Sequence, residues 1–136
     1  MPYPLIDRLT EDLGYPRVDV KTLDTVLNAA DTTVLFFTGD PANTPEALDV
    51  AVVLPEIVRH FGARLAPAVV SRDDERTLQA MYGFEQWPTL VFLHRDRYLG
   101  AISRIQDWTD YIARIQSFLD NGPVRPPAPR IPILPA

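Results

Sequence analysis

Residues Glu85-Gln86-Trp87-Pro88-Thr89-Leu90-Val91-Phe92-Leu93 constrain this chain more than any other stretch. A turn cluster closes on Trp87-Pro88 and passes directly into an unbroken β-type run. Proline cannot donate to a sheet ladder, so a sheet tolerates it where a strand begins. Its tertiary amide also lowers the cost of a cis bond to about 0.5–1 kcal/mol. Two readings of Pro88 follow: an ordinary strand-entry proline, or a pinned loop that presents backbone groups to a partner.

The rest of the chain supplies what that strand pairs with. Thr33-Val34-Leu35-Phe36-Phe37-Thr38 is β-branched and aromatic without alternation, the pattern of a central strand buried on both faces. Leu65 to Val70 is another strand, and Val18 and Val20 mark a short one. Tyr98-Leu99-Gly100-Ala101-Ile102 returns after the turn at His94-Arg95-Asp96-Arg97, so it should form an antiparallel hairpin with the Pro88 strand.

Helical spacing fills the gaps between strands. Leu5, Ile6, Leu9 and Leu13 predict a short amphipathic helix, and Thr22 or Asp24 can cap a second. Ser71 and Asp74 open a short helix whose Leu78 and Met81 should face inward. Asp107 opens the last, with Trp108, Tyr111, Ile112, Ile115, Phe118 and Leu119 on one apolar face. Strands that alternate with helices and end in a hairpin predict an α/β fold. The expectation is a mixed central sheet of four to five strands flanked by helices on both faces. The expected organisation is an N-terminal helical extension (1–16), one domain (17–122) and a proline-rich extended tail (123–136).

The third helix stands out. Asn43, Pro45 and Glu46 mark its start, and it should run to Phe61 before Gly62. Ala47, Val50, Ala51, Leu54, Ile57, Val58 and Phe61 make one core stripe, yet Leu48, Val52 and Val53 are apolar too. A helix apolar nearly all round is buried on two sides or meets a partner. Pro55 in its interior removes a backbone hydrogen bond and should kink it. In the tail, six prolines in residues 123–136 preclude helix or central strand. That tail reads as disordered or as a docking segment for a partner or a second copy; Ile131, Ile133 and Leu134 favour docking.

Composition excludes several functions. The chain has no cysteine, which removes thiol redox chemistry, disulfides and thiolate metal sites. A net charge of −5 argues against nucleic-acid binding, which needs a basic footprint. It serves solubility or favours a basic partner. No apolar run approaches the ~20 residues that span a bilayer, and Met1-Pro2-Tyr3-Pro4 carries no signal-peptide pattern, so no membrane insertion and a cytoplasmic location are expected. His60 and His94 lie far apart with no companion at ligand spacing, so no metal is expected. Asp73, Asp74 and Glu75 sit at a helix N-terminus, where the macrodipole explains them. Neither a phosphate loop nor a Gly-x-Ser-x-Gly motif is present, and the expectation is a non-enzyme with no cofactor.

Over about residues 17–120 the chain resembles the thioredoxin family. Val34-Leu35-Phe36-Phe37 resembles its central strand, and Ala51-Val52-Val53-Leu54-Pro55-Glu56-Ile57 its active-site helix with the mid-helix proline. Tyr82-Gly83-Phe84-Glu85-Gln86-Trp87-Pro88-Thr89-Leu90 resembles the segment leading into its cis-proline. The family's cysteines would fall near Ala47 and Val50, and its buried acid near Leu35, so the resemblance implies the scaffold without the chemistry. Freedom from cysteine, chain length, the N-terminal extension and acidity together resemble the hydrogenase-expression group of the HupG/HyaE type. That implies an accessory chaperone in [NiFe] hydrogenase maturation, binding the twin-arginine signal peptide of the small-subunit precursor.

The resemblance brings three segments together as a peptide-binding surface. They carry Asp40, Glu46, Asp49, Val50 and Val53; Gln86, Trp87, Pro88 and Thr89; and Arg104 and Ile105. Thr89 would pair with an extended peptide by strand addition. Trp87 would supply a rigid apolar contact over a floor of Val50 and Val53. Asp40, Glu46 and Asp49 would form an acidic rim for the arginines. The alternative is a structural protein that homodimerises through the third helix and holds no peptide.

Overall fold

The structure, a computed structural model, describes residues 3–127. The Ile131, Ile133 and Leu134 portion of the tail lies outside the described residues. Five strands form one sheet in the order β1-β3-β2-β4-β5: β1 Arg17–Val18, β2 Thr32–Phe37, β3 Ala66–Val70, β4 Thr89–His94 and β5 Arg97–Ser103. β1, β3 and β2 are parallel, β4 runs antiparallel to β2, and β5 closes the hairpin on β4. Residues of β2 alternate between the two faces, Val34 and Phe36 to one and Leu35 and Phe37 to the other. The sequence run does not alternate because both faces are covered.

On the first face lie α1 (Pro4–Glu11), α3 (Glu46–Phe61) and α5 (Trp108–Asn121). Their Leu9, Leu54, Ile57, Tyr111 and Ile115 pack on Val34, Phe36, Leu90 and Phe92. On the second lie α2 (Leu23–Asn28) and α4 (Glu75–Tyr82), whose Leu23, Leu27, Leu78 and Tyr82 meet Leu35, Phe37, Val91 and Leu93. β5 carries Gly100 where α5 crosses: a Cβ there would lie 2.3 Å from the Phe118 ring. Glycine thus sets how closely the last helix approaches the sheet.

The surplus apolar residues of α3 have a cause inside the chain. α1 packs against α3, and Val53 and Val58 join the first core as half-buried neighbours. Leu48 is half-buried, which leaves only Val52 of the apolar α3 residues well exposed, at 47%. Expectation and structure part at Met81, which is 52% exposed. The inward stripe of α4 is Glu75, Leu78 and Tyr82, at spacings of three and four, and Met81 falls on its flank. β1 is only two residues long, with Val20 exposed beyond it.

After α5 the chain turns at Gly122 and passes beside β5, where the Val124 N–H donates to the Tyr98 carbonyl at 2.8 Å. It then reaches Gly83 at the end of α4, where a Cβ would lie 2.2 Å from the Pro127 carbonyl oxygen. This part of the tail is thus laid across the edge of the sheet from one helical layer to the other.

Candidate peptide-binding site

Because β2 and β3 are parallel neighbours, the loops after them emerge at the same edge of the sheet. The first loop begins at Gly39 (φ +68°) and is held by its own polar groups. The Asp40 carbonyl accepts from the Asn43 N–H (2.9 Å) and the Thr44 N–H (2.8 Å), and its carboxylate accepts from the Ala42 N–H at 3.0 Å. The second loop delivers Glu75, which is 4% exposed. Its Oε2 accepts from the Gly39 N–H at 3.1 Å, and Oε1 pairs with Arg72 Nε at 3.1 Å. Burial pushes the Glu75 carboxyl above its ordinary range, opposed by the Gly39 N–H and the Arg72 guanidinium.

Trp87 stands on the other side of Gly39. The Trp87–Pro88 bond is cis. The half-buried indole meets the Phe84 ring edge-on at 5.1 Å and that of Phe37 at 6.1 Å. Gly39 passes beneath it so closely that a Cβ there would be 3.3 Å from Trp87 Cβ. The Pro88 carbonyl accepts from the Arg104 N–H at 2.7 Å. Arg104, at φ +67°, also pairs through Nε with Glu46 at 2.8 Å. Beneath it the Tyr111 hydroxyl donates to the Arg104 carbonyl (3.0 Å) and accepts from the Gln106 N–H (3.2 Å). Burial pushes that phenol up to about 12.

Between the two loops opens a cleft of about 430 Å³. Gly39, Asp40 and Asn43 form one wall, Arg72, Asp73, Arg76 and Gln79 the other, and Trp87 closes the inner end as its one large apolar surface. Its rim therefore mixes both signs of charge. Among the described residues no group of histidine and carboxylate side chains could hold a metal ion. No helix there is long and apolar enough to cross a membrane.

Several expected contacts are placed differently. Val50 is 1% exposed and belongs to the first core, and Val53 is tucked against that core, so neither floors a groove. Thr89 is buried and paired with Phe37 on one side and Ser103 on the other, which leaves no free ladder for an added strand. Strand addition would have to use the residues before it, exposed Gln86 and half-buried Trp87. Glu46 is already paired with Arg104. Asp49 is exposed and Asp40 half-exposed, while Ile105 packs on the first core. The α4 wall of the cleft carries no signature of its own in the sequence, because its acids have a sufficient local explanation. The available signal was position: they follow a parallel strand next to the central one.

The scaffold and the loop ahead of β4 define a thioredoxin-like fold, carried here by a chain with no cysteine. A mutant thioredoxin from Halobacterium salinarum NRC-1 superposes with a TM-score of 0.62 at 22% identity, covering 76% of this chain and 88% of that one. That likeness speaks for the fold alone. The family model of the hydrogenase-1 expression protein HyaE matches residues 5–111. The hydrogenase expression/formation protein HoxO of Azotobacter vinelandii is 51% identical over 134 residues, 98% of this chain and 88% of its own length. HupG of Rhizobium leguminosarum bv. viciae is 44% identical over 123 residues, covering 88% and 83%. The crystal structure of a hupG hydrogenase expression/formation protein from Rhodopseudomonas palustris CGA009 superposes with a TM-score of 0.56 at 41% identity, covering 78% of this chain and 96% of that one. The chain belongs to the HyaE family of hydrogenase expression proteins.

Proposed function

We propose that this protein is a non-enzymatic chaperone of hydrogenase maturation. It binds the twin-arginine signal peptide of the small-subunit precursor in the cleft beside Trp87, in the cytoplasm, before export. The observation that carries the reading is the half-exposed indole of Trp87 on a loop locked on three sides. Gly39 lies below it, Phe84 beside it, and Arg104 holds the next carbonyl. A rigid aromatic at the end of a cleft is the kind of group that anchors a partner.

The charges assign the work. Exposed ion pairs contribute about 0.2–1 kcal/mol each, too little to hold a peptide. Apolar contact at the indole must carry the larger share: roughly 150 Å² buried over both partners at about 25 cal/mol/Å² gives some 4 kcal/mol before ordering costs. With Glu46 engaged by Arg104, the carboxylates open to a cargo arginine are Asp40 and Asp73 in the cleft and Asp49 on α3. The homodimer alternative is left with Leu48 and Val52, since Val53 is half-buried against the first core.

The test is calorimetric titration with a small-subunit signal peptide and its twin-lysine variant. Trp87→Ala should weaken binding more than Asp40→Asn. Equal or reversed losses would refute the apolar anchor, and no binding to either peptide would sink the proposed cargo.

A further inference from the structure

We propose that residues 128–136 are an intramolecular ligand of the Trp87 cleft and compete there with cargo. This rests on the cleft being a peptide site. Three observations lead to it. The tail is already fixed up to the point of departure, by the Val124–Tyr98 hydrogen bond and by Pro127 seated on Gly83. Gly83 closes the helix that forms one wall of the cleft: its N–H donates to the Gln79 carbonyl at 2.8 Å, and Gln79 lines the cleft. The chemistry that follows is Ala-Pro-Arg-Ile-Pro-Ile-Leu-Pro-Ala, one arginine and then an apolar run. That is the order of groups in the proposed cargo, and it matches Asp73 and Asp40 beside the indole.

The reach suffices. α4 has eight residues and at 1.5 Å per residue is about 12 Å long. Nine further residues in polyproline form extend about 28 Å, enough to climb the helix and leave several residues within the cleft. Three prolines in nine residues restrict the backbone angles open to an undocked chain, which reduces the entropy lost on binding. Attachment through Pro127 gives the segment an effective concentration of about 3 mM. A free tail peptide with a Kd of roughly 0.3–1 mM would then lower apparent cargo affinity about four- to tenfold in the intact chain.

The experiment compares the full chain with a chain ending at Pro127, each titrated with a synthetic 128–136 peptide and with the signal peptide. The shortened chain should bind the tail peptide, lose that binding on Trp87→Ala, and bind cargo about four- to tenfold more tightly than the full chain. The full chain carrying I131D and L134D should show the same gain. A shortened chain that ignores the tail peptide and binds cargo no better would overturn the inference while leaving the cargo reading intact. Tail-peptide binding with no cargo binding would do the reverse. A concentration-dependent dimer of the full chain, abolished by the truncation, would mean that the tail serves a second copy and would overturn the intramolecular form.

Discussion

Replacing Tyr111 with phenylalanine isolates the polar clamp beneath the candidate site. The ring is fully buried in the first core, so its packing survives and no cavity opens. What disappears is one hydroxyl with two partners, the Arg104 carbonyl at 3.0 Å and the Gln106 N–H at 3.2 Å. At about 1 kcal/mol net per hydrogen bond, the loss should be near 2 kcal/mol. For a chain of this length that lowers Tm by about 7 °C. In urea the midpoint should fall with the slope unchanged, because the surface exposed on unfolding is the same. The clamp also holds Arg104 where its N–H meets the Pro88 carbonyl, so peptide affinity should fall along with stability. A stability change below about 0.5 kcal/mol, the range of an ordinary surface substitution, would refute the clamp. A full stability loss with unchanged peptide affinity would refute its link to the Trp87 loop.

Other substitutions test other contacts. Gly100→Ala should cost about 1–3 kcal/mol by overpacking, since the new Cβ would sit 2.3 Å from Phe118; pairing it with Phe118→Leu should recover part of the loss in chemical denaturation. Glu75→Ala should cost about 1–3 kcal/mol by orphaning the Gly39 N–H, whereas Glu75→Gln, which keeps an acceptor there, should cost clearly less in the same assay. Burial raises the phenols of Tyr82 and Tyr111 to about 12, against about 10 in an unfolded chain. Their contribution is therefore fully present below pH 10 and is lost as pH rises toward 12. Urea midpoints from pH 8 to about 12 should fall across that window, and Tyr82→Phe should flatten the fall.

Much of the architecture is legible in local pattern. The run Thr33–Thr38 reads as a strand buried on both faces, and helices do lie on both, while the run after Pro88 reads as a β-type run and is β4. The hairpin follows from the short connection between two β-type runs, and the third helix ends at Gly62 as expected. Periodicity failed on flanks rather than stripes. Met81 sits three residues after Leu78, but Tyr82 at four claims the core.

The site was legible only where it is contiguous in the chain. Trp87-Pro88 and the Asp40 loop carry their own turn chemistry, and both border the cleft or its floor. Glu75 does not announce itself, because an acid at a helix start has a sufficient local reason. Its burial and its bond to Gly39, thirty-six residues away, exist only once two parallel strands set their following loops side by side.

By itself the sequence determined the element order, the absence of thiol chemistry and the thioredoxin-like resemblance that the residues around Pro55 and Pro88 carry. These rest on residue identity and on spacings of two, three and four, which are local properties of the backbone. Only the tertiary structure decided that α1 covers α3, that Glu46 is already taken by Arg104, that Thr89 has no free edge, and that the tail crosses to Gly83. Each of these is a competition between groups distant in the chain for one partner or one face. Its outcome depends on which of them the packed sheet brings within reach.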